Sequence, residues 1–124
     1  MTLKFAKPEP RRRAKRRAQR AERVVVETVR AACVERDGYC RIARDNVVAL
    51  GPCAGPSEWA HLEEKRRFKT RGMSSEDRHS VDWTVMMCER HHKLYDAHAF
   101  DVGTPVGASR PIQIFNVDSE RING

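Results

Sequence analysis

The sequence predicts an α+β fold, a small zinc-stabilised domain carried behind a long basic N-terminal helix. Three observations lead there. Residues 11 to 37 contain no Pro or Gly and place small apolar side chains at steps of three and four. From Tyr39 onward the chain breaks into short apolar runs separated by turn residues. Cysteine and histidine then recur at spacings that suit metal ligation. At 124 residues the chain is long enough for one domain with a modest core, a size at which a bound metal usefully supplements burial.

The helix is justified first. Pro8 and Pro10 precede it, and Ala14, Ala18, Ala21, Val25, Val29 and Ala32 mark one weakly apolar face. Asp37-Gly38 supplies the stop. The first half of that face holds only alanines and has little to bury, so it is expected to project. The second half, with Val24, Val25, Val26, Val29 and Cys33, is expected to pack on the domain, Cys33 as a small buried thiol. Residues 1–23 therefore read as an arm and residues 24–124 as the domain.

Charge follows the same division. Residues 1–30 carry eleven Lys and Arg against three Glu, a net +8 in a chain whose total is +7. Such a block attracts polyanions, and Arg11, Arg12, Arg13, Arg16 and Arg17 are candidate nucleic-acid contacts. The alternative is a solvated tail that keeps the protein soluble. No apolar run is long enough for a secretory or membrane segment, and Glu9, Glu22 and Glu27 with the lack of Ser argue against a transit peptide. An intracellular protein is expected, and there four cysteines read as thiols or metal ligands rather than disulfides.

"YCRI", "NVVAL", "GPCAGPSE" and "WAHL" suggest short strands and hairpins. Residues 64–80 form a polar loop rich in Lys and Arg. "WTVMM" reads as a short strand, "CERHHKLYDAHA" as a short helix, and "PIQIFNV" as a closing strand before a frayed polar end.

In a helix, residues three or four apart share a face, so Cys88 and His91 look one way while His92 and Asp96 look another. Cys40 and Cys53, the latter after Gly51-Pro52, complete a Cys3His set with Cys88 and His91, suited to a structural zinc. The competing reading makes Cys40 and Cys53 core residues or a disulfide. His92 and Asp96 then form a second pair suited to a harder divalent ion, or else a surface ion pair worth little. Near the helix end, His98 reads as structural or incidental. His61 sits between Trp59 and Leu62 in a predicted strand, where a lone histidine is commonly a partly buried core residue.

"ERDGYC", "EWAHL" and "VMMCERHHKLYD" together resemble the HNH, or ββα-metal (His-Me finger), endonuclease family over roughly residues 34–100. The Arg-rich leader and the "RG" loop are similar to small phage-encoded members. The resemblance implies a small ββα-metal domain in which His61 is the general base. It makes His92 a ligand of a catalytic Mg2+, Mn2+ or Ni2+ ion, with Asp96 at the position of a second helical ligand. Asp82 or His79 would fix the connecting loop. Ala60 stands where many members carry Asp or His, and Trp83 where they carry Asn; Glu63 is a candidate replacement carboxylate. Lys65, Arg66, Arg67, Lys69 and Arg71 would lie beside the scissile phosphate and hold the DNA backbone by charge.

The expected function is thus metal-dependent hydrolysis of DNA phosphodiesters, leaving 5′-phosphate and 3′-hydroxyl ends. Its protein partners would be phage packaging or recombination proteins, and a monomer is favoured. Two alternatives stay open: a non-catalytic zinc-stabilised DNA-binding module, and a basic interaction protein of such a complex.

Overall fold

The computed structural model describes residues 10–62 and 79–123. Helix α1 (Arg11–Asp37) matches the predicted span. It crosses Arg23–Val24 without a break, so the arm and the domain share one helix. Gly38, at φ 71°, ends it and donates its N–H to Val34 O at 2.8 Å, a left-handed stop that glycine adopts without steric cost. The alanine half of the helix is exposed as expected, but Val24 and Val25 are exposed as well, contrary to the packing expected of them. The helix docks through its C-terminal turns, where Cys33 and Asp37 are buried, and burial begins only at Val26. No helix among the described residues is long and apolar enough to cross a membrane.

Where "YCRI" and "NVVAL" suggested strands, the chain forms a helical turn α2 (Arg41–Arg44) and a 3-10 turn at Val48–Leu50. The reason is tertiary. Kept extended, the thirteen steps from Cys40 to Cys53 would span roughly 40 Å, whereas the coiled path folds them back to one point. A fully buried Arg41 locks that path. Its guanidinium donates to Asp45 Oδ2 at 2.5 Å, Asp37 Oδ1 at 2.7 Å, and the carbonyls of Gly107 and Arg110 at 2.5 and 2.6 Å. No local apolar pattern announces a buried arginine.

Strand β1 (Ser57–His61) pairs antiparallel with β2 (Thr84–Cys88), with Ser57 opposite Cys88 and His61 opposite Thr84. Helix α3 (Glu89–Asp96) follows β2 without a linker, and Cys88 is its N-cap. Both elements arise where "WTVMM" and "CERHHKLYDAHA" predicted them. The predicted closing strand shortens to β4 (Ile114–Phe115), paired with β3 (Asp101–Val102).

Strand alternation gives the β1–β2 ribbon two distinct faces. Ala60, Leu62, Val85 and Met87 belong to the main core with Ile42, Tyr95, Phe100, Val102 and Ile114. Full burial of each large apolar side chain in this set is worth ~1.5–3 kcal/mol. Trp59, His61, Thr84 and Met86 occupy the other face, where Thr84 Oγ1 lies 3.6 Å from the Cys33 sulfur of α1. Cys33 is the buried thiol that the helix spacing predicted.

The last turn of α1 also serves the outer edge of β2. Asp37 Oδ2 accepts the Met86 N–H at 3.0 Å, and Arg36 Nη2 donates to Thr84 O at 2.8 Å. Side chains thus satisfy backbone groups that a third strand would otherwise pair.

Candidate metal centre and its surroundings

Cys40, Cys53, Cys88 and His91 converge. Their four ligand atoms all lie within 4.8 Å of one another, and no other described group of three or more such side chains meets this distance. His91 Nδ1 is 3.2 Å from Cys88 Sγ, 3.5 Å from Cys40 Sγ and 3.8 Å from Cys53 Sγ. The opposite nitrogen, Nε2, meets Leu50 O at 3.2 Å and Gly51 O at 3.1 Å. Carbonyls only accept, so Nε2 bears the proton and the Nδ1 lone pair points at the sulfurs, the tautomer that ligation requires.

The local backbone prepares this arrangement. Cys88 Sγ accepts the His91 N–H at 3.4 Å, while Glu89 N–H donates to Pro56 O at 2.8 Å and Arg90 N–H to Ala54 O at 3.0 Å. The first turn of α3 is thereby tied to the loop that carries Cys53. Gly55 allows the approach. At φ 83°, any Cβ there would come within 2.6 Å of Glu89 Cβ.

The thiols behave unequally without a cation. Burial, together with the Cys40 and Cys88 sulfurs, pushes the Cys53 thiol up to about 12. Burial also opposes ionisation of Cys88, but hydrogen bonds from the His91 and Ala54 backbone outweigh it and hold that thiol below its ordinary value. Three gathered sulfurs and one imidazole, three of the four residues buried, can hold a tetrahedral metal such as zinc. All four cysteines are free, so Cys40 and Cys53 do not form a disulfide.

His92 faces away from this cluster, as the helical spacing predicted. Its Nδ1 lies 3.0 Å from Glu58 Oε1 and its Nε2 3.6 Å from Asp96 Oδ2. Glu58 was missed from the sequence. The available signal was alternation, since Glu58 shares its strand face with Ala60 and Leu62, which are buried on the α3 side. Glu63 lies outside the described residues, and β1 ends before it.

His61 belongs to the opposite face of the ribbon. Its Nε2 is 2.8 Å from His79 Nδ1, and His79 Nε2 is 3.3 Å from Glu22 Oε1 on α1. The Trp59 indole lies beside both imidazoles, tilted against His61 at a centroid distance of 4.4 Å and stacked near His79 at 6.1 Å. The structure therefore joins His79 to His61 and joins Asp96 and Glu58 to His92, while His61 and His92 lie on different faces.

Asp82 joins neither group. Its side chain is exposed in the 3-10 turn Val81–Trp83, and its carbonyl accepts the Val106 N–H at 3.0 Å. His98 follows α3 at φ 63°. Arg11, Arg12, Arg13, Arg16 and Arg17 are exposed on the projecting half of α1. Lys65, Arg66, Arg67, Lys69 and Arg71 lie outside the described residues.

Comparison of the chain with family models, with curated proteins and with solved structures finds no match.

Proposed function

We propose that this protein is a metal-dependent DNA endonuclease of the HNH type, built on a zinc-stabilised ββα unit. The observation that carries the reading lies outside the Cys3His cluster. A structural metal needs neither His61 nor His92, yet each of these half-buried imidazoles is held by a specific hydrogen-bonding partner, His79 for one and Glu58 for the other. Among the described residues β1 pairs with β2 alone. No described strand lies on its other edge, and a phosphodiester seated there could be approached from both faces of the strand.

In this reading His61 removes the proton from the attacking water. Glu58 accepts the His92 Nδ1–H and leaves the Nε2 lone pair facing Asp96, a donor pair that fits a hard divalent ion such as Mg2+, Mn2+ or Ni2+. When bound, such an ion supplies charge that stabilises the phosphorane-like transition state and the leaving 3′ oxygen. The exposed arginines of α1 grip phosphates without reading sequence.

The test is plasmid nicking by zinc-loaded protein with Mg2+, Mn2+ or Ni2+ added in turn, beside a His61→Ala, His92→Ala double variant. Nicking by the wild type and at least ~100-fold less by the variant is expected, the scale of a lost general base. Equal nicking by the two would reject the assignment. Removing residues 1–20 should weaken DNA binding and flatten its dependence on log salt, by about 0.9 in slope for every phosphate that the arm neutralises. An unchanged slope would remove α1 from the interface.

One observation favours a second reading, a non-catalytic zinc-stabilised DNA-binding module. His61 and His92 occupy opposite faces, and Ala60 offers no ligand between them. Wild-type protein that binds DNA but cuts with none of the ions would establish it.

A further inference from the structure

Glu22 and His79 belong to neither metal pair, yet they form a directed chain that ends on His61. An ionised carboxylate only accepts hydrogen bonds, so the His79 nitrogen facing Glu22, Nε2, carries a proton. A neutral imidazole with Nε2–H has its lone pair on Nδ1, and that atom lies 2.8 Å from His61 Nε2. His61 Nε2–H is therefore the donor, and the lone pair of a neutral His61 resides on Nδ1. Ring geometry agrees with a directed contact. The two imidazoles meet edge-on, 76° between planes and 4.9 Å between centroids.

We propose that Glu22 and His79 are positioning residues for His61, fixing the tautomer whose basic nitrogen is Nδ1 and stabilising the imidazolium that forms during the reaction. The proposal rests on the reading of His61 as general base. As water attacks phosphorus, its proton moves to His61 Nδ1 and the oxygen electron pair forms the new P–O bond. The P–O3′ bond breaks, and its electron pair leaves with the 3′ oxygen. His61 keeps its Nε2 proton, and the now charge-assisted bond to His79 strengthens. No net transfer to Glu22 is required. Trp59 lies beside both rings, and the His61–His79 bond is partly buried, which raises its worth above that of the exposed His79–Glu22 contact. Glu22 stands on the helix that carries the exposed arginines, so one element would serve both DNA docking and the orientation of the base.

Long-range 1H–15N correlation spectra of the zinc-loaded full chain, labelled with 15N-histidine, test this directly. In the wild type His61 and His79 should both show the Nε2–H tautomer. Glu22→Ala should release the His79 tautomer, and His79→Ala should leave His61 as a mixture of both forms. His79→Gln should restore the His61 Nε2–H form, because the amide oxygen accepts the same hydrogen bond. Zinc content and far-UV circular dichroism equal to wild type keep these variants comparable.

In plasmid nicking, His79→Ala should lower kcat about 10- to 100-fold with KM unchanged, the range seen when an orienting partner is removed from an imidazole. A His61 that carries its proton on Nδ1 in the wild type, or one whose tautomer ignores His79→Ala, overturns the proposal. A wild type that never nicks overturns the nuclease reading instead, and the spectra still decide whether the chain of hydrogen bonds exists.

Discussion

Cys88→Ser is expected to leave most of the chain unfolded and unable to retain one zinc per molecule. Cys88 occupies three structural positions at once. It ends β2, caps α3 through the His91 N–H, and brings its sulfur within 3.2 Å of His91 Nδ1. Metal binding in such a domain is folding energy, on the order of 10–16 kcal/mol for isolated structural zinc sites, and a core this small has no comparable reserve. Zinc content measured on the purified protein, with circular dichroism on the same sample, decides it. Cys33→Ser is the control. Its thiol is pushed up to about 11, chiefly by burial, and contacts Asp37 and Thr84 rather than the cluster, so the zinc count should not change. A folded Cys88→Ser protein without metal would show that the cluster is dispensable.

Asp37→Ala should cost about 3–5 kcal/mol, the penalty for removing one partner from a buried ion pair. Asp37 is buried and accepts from Arg36 Nε at 2.6 Å, Arg36 Nη2 at 2.7 Å, Arg41 Nη1 at 2.7 Å and the Met86 N–H at 3.0 Å. Without it Arg36 loses this carboxylate partner, Arg41 keeps Asp45 but not Asp37, and the outer edge of β2 loses an acceptor. Urea denaturation of zinc-loaded protein measures the effect as a fall in midpoint at constant slope. A loss under about 1 kcal/mol would mean that the arginines find other partners.

The same carboxylate sets a pH dependence. Burial alone would raise its pKa, but the bonds from Arg36, Met86 N–H and Arg41 outweigh burial and hold it below the ordinary 3.8. With the folded-state value depressed, the stabilisation is complete above about 3.8 and is lost as pH falls through the folded value. As pH falls below about 3.8 the wild type should lose more stability than Asp37→Ala, which has no such group to titrate.

Elements with local causes were legible in the chain. Three- and four-residue steps of Ala and Val, closed by Gly38, predicted α1 from end to end. Helical spacing separated Cys88 and His91 from His92 and Asp96. Its extension to Cys40 and Cys53, over an unusually long interval, gave the four side chains that converge here. The segment between those two cysteines was misread as strands. Its path is set by the buried Arg41, which bonds to carbonyls 66 and 69 residues away along the chain.

By itself, then, the sequence determined the order of the main elements, the basic arm and the residues able to hold a metal, because periodicity and capping act within a few residues. Tertiary structure alone decided the long-range partners of His61 and His92, which are His79 and Glu58. Strand register put Glu58 on the α3 side of the ribbon and His61 on the other. Packing of α1 brought Glu22 to His79, 57 residues away. Contacts at such separations depend on how finished elements dock, and no local pattern encodes that.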